Sequence, residues 1–369
     1  MKSGSGKGAS APVRLAFSWA LLSLVAAVAH AEMHEKQVIE VSSAELAEAM
    51  GQASVKLSIE RLTASLQNDG ELLAAWSTTK SDVPDPLAKA IIDSALIDQL
   101  SQRQPTKAGL LLLDELAKKT IQINTPHPES ATYSIPALRV AGRAAALAES
   151  WRTSDLATSL ASRGAGAVQD ALLGKSDREN KAALWAIEQL DSKSLNELTQ
   201  WLKGKPEMHS TLAEAALKTA VATGDSELAL SAMRNGEATV SRDALLLLER
   251  LDKEAFLAHF DEAAAKPLLA GIAVAGLGRS SDQRAWSKLV ELLADPALGG
   301  DAALAMSQQH PSRSLDLIEQ TLDQSSSVVA KRYLLMLASI GSDHARVLRD
   351  QLLSLGVVDA AEAREVARW

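Results

Sequence analysis

From about Lys181 onward the chain is punctuated by one recurring joint. It reads Gln189-Leu190-Asp191-Ser192, Thr223-Gly224-Asp225-Ser226, Arg250-Leu251-Asp252-Lys253 and Leu277-Gly278-Arg279-Ser280-Ser281-Asp282, then His310-Pro311-Ser312 and Ile340-Gly341-Ser342-Asp343. Successive joints lie roughly 26 to 34 residues apart, the length of two helices and two turns. Each combines a helix stop with an Asp or Ser suited to cap the helix that follows. The pattern implies six consecutive helical hairpins. A lone hairpin cannot bury its apolar stripe, so neighbours must stack. At Leu277-Gly278 the stop is a glycine, and a left-handed cap with positive φ is expected at Gly278.

The residues between the joints agree. Trp286, Leu289, Val290, Leu292 and Leu293 follow helical spacing, with Arg284, Lys288, Glu291 and Asp295 opposite. The same pairing recurs in Asp243–Leu251 with Ala255–Phe260 and in Val328–Ile340 with Arg346–Leu353. Across the whole chain, 65 Ala and 57 Leu stand against 3 Phe and 2 Tyr. Ala and Leu are strong helix formers, whereas a sandwich or barrel wants β-branched and aromatic residues on its faces. The expected fold is therefore all-α, an α-solenoid of stacked hairpins.

The stretch from Gly271 to Asp295, Gly-Ile-Ala-Val-Ala-Gly-Leu-Gly-Arg-Ser-Ser-Asp-Gln-Arg-Ala-Trp-Ser-Lys-Leu-Val-Glu-Leu-Leu-Ala-Asp, resembles the short HEAT-like repeat named after the bilin (PBS) lyases. A small, apolar first helix ends in Leu-Gly, and a turn Asp precedes a Leu-rich second helix. Ala338-Ser-Ile-Gly-Ser-Asp343 is a second match, while Asp replaces Gly at two other joints. The resemblance covers roughly residues 181–356 and implies a HEAT/armadillo-like superhelix, an architecture shared by enzymes, adaptors and assembly factors.

Residues 32–180 read as a less regular helical region, either divergent repeats or a cap. Ser42-Ser43-Ala44-Glu45 fits a capping box, and Asp85-Pro86 and Gln104-Pro105 open the helices Leu87–Gln102 and Ala108–Lys118. Thr120 to Pro136, with Pro126, Pro128 and Pro136, is the best loop or linker candidate. Helices resume at Ala137–Ser150 and Ser154–Arg163. Residues 357–369 read as a C-terminal capping helix or tail, in which Trp369 either packs on the last hairpin or serves as a recognition tag.

Residues 1–31 read as a signal peptide. Lys2, Lys7 and Arg14 precede a 15-residue apolar run, Leu15 to Ala29, and Ala29-His30-Ala31 supplies a small-x-small cleavage pattern. The run is short for a permanent anchor. The expected location is periplasmic or secreted, with no stable membrane anchor after cleavage. Cleavage would leave 35 Lys+Arg against 46 Asp+Glu, a net charge of −11, which argues against nucleic acid as a partner.

Chemistry is sparse. There is no cysteine, so thiolate catalysis, disulfides, Cys-ligated metals and a lipidated cysteine are all excluded. Among His34, His127, His209, His259, His310 and His344 no two stand at i,i+3 or i,i+4, so no helix presents a metal pair. His310, before Pro311 at a helix start, and His344, beside a turn, read as surface residues. Gly164-Ala-Gly166 and Gly276-Leu-Gly278 read as helix ends, and Trp201 and Trp286 as core residues facing leucines. No cofactor, metal site or catalytic residue is expected.

The leading expectation is an exported repeat scaffold that binds a partner protein or peptide, as adaptor or assembly factor, without catalysis of its own. The alternatives are an enzyme or enzyme subunit related to the bilin-lyase repeats, and a structural envelope protein. The resemblance implies that second helices line the binding surface. The polar position opposite each apolar stripe then gives a ladder of Gln200, Arg234, Glu262, Lys288, Gln320 and Arg346, one from each hairpin.

Overall fold

A computed structural model describes residues 38–127, 130–205, 207–358, 361 and 364. The signal segment, His34 and Trp369 lie outside the described residues, as does most of the C-terminal tail. The described chain is mostly helical, with 20 α-helices and one small sheet. It divides into two compact units, one ending at Asp155 and the other beginning at Leu156.

The N-terminal unit starts with β1 (Val38–Glu40), followed by α1 (Ser43–Gly51), α2 (Ala53–Ser65), α3 (Asp69–Asp82), α4 (Pro86–Ser101) and α5 (Lys107–Ala117). Two of the three expected start signals act as such; at the third, Thr106 caps α5 by accepting from the Gly109 amide, and Pro105 lies outside the helix. Ser42 accepts from the Glu45 amide, and the Glu45 carboxylate accepts from the Ser42 amide, completing the capping box. Asp85 accepts from the Leu87 and Ala88 amides ahead of Pro86. The core gathers Leu62, Leu72, Leu112, Leu113 and Leu116, all fully buried.

Within the expected loop at 120–136, the described residues from Gln122 onward are instead sheet. Strands β2 (Gln122–His127) and β3 (Ser130–Leu138) pair antiparallel, and β1 adds to β2 in parallel, in the order β1-β2-β3. The prolines hid an alternating pattern. Ile121, Ile123 and Thr125 step by two, and Ile123 is fully buried against the helical core. Pro126 sits beside a register shift of β2, and Pro136 lies on the outer strand β3, the two settings in which a strand tolerates a residue without an N–H. Helix formation then resumes as one helix, α6 (Val140–Arg163), rather than two separated near Trp151, and Ala137 belongs to β3.

The C-terminal unit takes up the end of α6. It continues with α7 (Ala165–Leu173), α8 (Asp177–Ala186), α9 (Ser192–Lys203), α10 (Ser210–Thr223), α11 (Ser226–Asn235) and α12 (Ala238–Leu251). After these come α13 (Lys253–Ala258), α14 (Phe260–Ala264), α15 (Pro267–Arg279) and α16 (Gln283–Leu292). The last four are α17 (Gly299–Gln309), α18 (Pro311–Thr321), α19 (Ser327–Ile340) and α20 (Asp343–Ser354). At the joints, Asp191, Asp225, Asp252, Asp282 and Ser342 each accept from an amide of the helix they precede. Consecutive helices pack in pairs. The first helices α8, α10, α12, α15, α17 and α19 also pack each on the next.

Gly224 (φ 73°) and Gly341 (φ 63°) are left-handed helix ends, as a glycine stop requires. Gly278 is not. It lies inside α15, one residue before its end, as does Gly276, so this Gly-Leu-Gly is helix interior. Its role is close approach: a Cβ at Gly278 would stand 2.9 Å from the Ala305 Cβ on α17. The glycine is required there by the close contact rather than by a positive φ, and the helix ends one residue later, at Arg279, with Ser280 extended. Trp286 is buried as expected, and Trp201 packs half-buried against the same core.

Candidate binding surface

The second helices of the pairs carry the polar positions proposed from the sequence. Helix α9 holds Gln200, α11 holds Arg234, α14 holds Glu262, α16 holds Lys288, α18 holds Gln320 and α20 holds Arg346. Gln200, Arg234, Gln320 and Arg346 are exposed, while Glu262 and Lys288 are half-buried.

These residues fall into two groups. Arg234 donates Nε and Nη2 to the two Glu262 oxygens, 2.8 Å each, and Nη2 also reaches His259 Nδ1 at 3.2 Å. Lys288 pairs with Asp261 at 3.1 Å and with Glu291 at 3.5 Å. The three central rungs therefore bind one hairpin to the next. The Arg234 contact holds the Glu262 carboxyl below its ordinary value, and the Asp261 contact raises Lys288. Among the described residues the Arg346 side chain pairs only with Asp343 of its own helix, at 2.9 Å, and Gln200 and Gln320 make no side-chain hydrogen bond.

A similar spacing recurs beyond the ladder. Arg279 binds Glu249, Arg284 binds Glu254, Lys218 binds Glu188 and Arg313 binds Gln283, each pair 30 residues apart. Lys266 donates to the Met233 and Arg234 carbonyls at 2.7 and 2.9 Å, closing the open C-terminal end of α11. His310, expected at the surface, is half-buried. Its Nε2 donates to the Gly278 carbonyl at 2.8 Å, and its ring stands edge-on to Trp286 at 5.8 Å. A carbonyl can only accept, so this nitrogen carries the proton.

Between α13–α14 and α16 lies a cleft of about 300 Å³. Leu257, Ala258 and Phe260 supply its apolar lining, and Arg284 and Lys288 its cations. Arg284 is held bidentate by Glu254 and also binds Asp282 at 2.7 Å. That guanidinium, together with the Arg284 amide, pulls Asp282 down to about 2. The cations are thus already neutralised, and the cleft offers mixed polarity over an apolar floor.

A further cluster, in the N-terminal unit, escaped the sequence reading. Asp93 is 3% exposed, accepts from Trp76 Nε1 at 3.0 Å and pairs with Lys119. Its partners come from 17 and 26 residues away, and no spacing rule joins them. The cavity there is only about 10 Å³, room for about one water. Among the described residues no group of three or more His, Asp or Glu is placed to hold a metal ion, and no helix is long and apolar enough to cross a membrane. Comparison with known protein families, with curated proteins and with solved structures found no match.

Proposed function

We propose that residues 181–356 form a HEAT-like α-solenoid that holds a partner polypeptide on its second helices, and that the protein acts as an exported adaptor or assembly factor. The observation that carries this reading is the periodic bonding. Cross-hairpin contacts return at separations of 28 to 32 residues, in Arg234–Glu262, Arg279–Glu249 and His310–Gly278. First helices packed each on the next, with second helices left outside that row, are what a stacked-hairpin array requires. Such an array offers an extended surface, and mixed charge over apolar clefts suits a polypeptide better than a polyanion. The export reading rests on the segment ending at Ala31; intact mass of the protein from the cell envelope tests it, and a product retaining Met1 overturns it.

The binding test uses the rungs that are free of cross-hairpin bonds. In the triple variant Gln200→Glu, Gln320→Glu and Arg346→Glu, helicity and melting should stay close to wild type, because exposed charges contribute little to folding. Partner capture from envelope extract should weaken and its salt dependence change. Equal capture by wild type and variant would remove this surface from the binding site.

A further inference from the structure

The N-terminal unit contains a half-open cleft of about 270 Å³, bordered by α3, the end of α4 and α6. Its floor is Leu72, Leu100 and Trp151, exposed by 1%, 2% and 5% respectively. Ligand pockets usually run from about 300 Å³ upward, so this one suits a small molecule only.

The polar groups around that floor are left over from the fold. Arg103 donates Nη1 to the Leu66 carbonyl at 2.9 Å, which fixes the guanidinium. Its Nε and Nη2 find no acceptor among the described residues. Trp151 wedges its benzo edge against α5, where a Cβ on Gly109 would come within 2.6 Å of Cζ3. The opposite edge carries Nε1–H, which makes no hydrogen bond among the described residues and keeps contact with solvent although the side chain as a whole is buried. Asp69 lines the same cleft and forms no ion pair among the described residues.

We propose that this cleft binds a small zwitterion with a branched hydrocarbon body, a free aliphatic α-amino acid. The hydrocarbon lies on Leu72, Leu100 and Trp151. The carboxylate accepts from Arg103 and from the Trp151 indole, since a charged acceptor best offsets the desolvation of a guanidinium. The ammonium is met by Asp69. No contact in the C-terminal unit is involved, so this site stands or falls apart from the polypeptide surface.

The test follows indole N–H resonances of the ¹⁵N-labelled full chain, with Trp151→Phe identifying the Trp151 signal. L-Leucine, leucinamide (no carboxylate) and 4-methylpentanoate (no ammonium) are titrated to ~10 mM, well into the weak-binding range. Leucine should shift the Trp151 signal saturably, and each analogue should bind roughly tenfold more weakly or worse, as expected for loss of a charged hydrogen bond. Asp69→Asn, a substitution at an exposed position, should weaken leucine to the same degree and leave 4-methylpentanoate unaffected. No shift with leucine, or a shift that leaves the Trp151 signal untouched, overturns the site. Equal binding of leucine and either analogue overturns the zwitterion assignment.

Discussion

Gly278 on α15 packs against Ala305 on α17, and the approach leaves no room for a β-carbon. Gly278→Val should therefore cost about 2 kcal/mol by overpacking, read from urea unfolding midpoints. Ala305→Gly in the same chain should restore part of that loss. A backbone-strain origin would predict no restoration, so the double variant separates the two causes. Asp93 makes a second residue-scale case. Lys119→Met leaves a buried carboxylate with only the Trp76 indole, and should cost about 3 kcal/mol or more. Adding Asp93→Leu removes the stranded charge and should recover most of the stability. If the single and double variants melt alike, the pair is not holding the helices together. Neither pairing is legible in sequence, because each joins residues brought together only by helix packing.

At the scale of elements, the joints divide by how they stop the first helix. Gly341 ends α19 in the left-handed region, φ 63°, where a β-carbon is strained. Gly341→Ala should cost about 1 kcal/mol. Gly142 sits early in α6 with open space around it, and Gly142→Ala should stabilise by about 0.5 kcal/mol through helix propensity alone. Thermal unfolding of the two variants checks the opposite signs. The Asp and Ser caps were readable because capping is local: the acceptor lies two or three residues from its donor. The β2–β3 hairpin was obscured for the converse reason. Pro126 and Pro136 are allowed by a register shift and an edge position, and both are properties of the assembled sheet.

Across the whole molecule, carboxylates engaged in the folded state set the response to acid. Asp282, Glu254 and Glu262 are all lowered, chiefly by side-chain bonds to Arg284, Arg284 and Arg234 respectively. Depressed carboxyls contribute stability that is complete above their unfolded values, near 3.8 for Asp and 4.5 for Glu. That contribution fades as pH falls toward about 2, where Asp282 itself takes up a proton. Lys203 and Lys288 are raised, so their share is present below 10.5 and lost only above it. Urea midpoints should hold steady through neutral pH and fall from about pH 4.5 downward. The fall should shrink in high salt, since most of these pairs are exposed. A midpoint unchanged between neutral pH and pH 3 would show that the cross-hairpin pairs add nothing.

Local chemistry decided much of this protein before any packing. An Ala- and Leu-rich chain with few aromatics dictated helices, and Asp, Ser, Gly and Pro at joints roughly 26 to 34 residues apart dictated where most of them begin and end. The apolar stripe of each second helix likewise determined that Trp286 would face inward. Packing decided the rest. It put Gly278 in a helix interior, brought Arg234 onto Glu262 and so removed the central rungs from the free surface, and drew His310 onto a carbonyl 32 residues away. It also assembled the cleft around Leu72, Arg103 and Trp151 from three helix ends and faces. Spacing along a helix reports which face a residue occupies. What stands opposite that face depends on the neighbouring hairpin, and no periodicity within one helix encodes it.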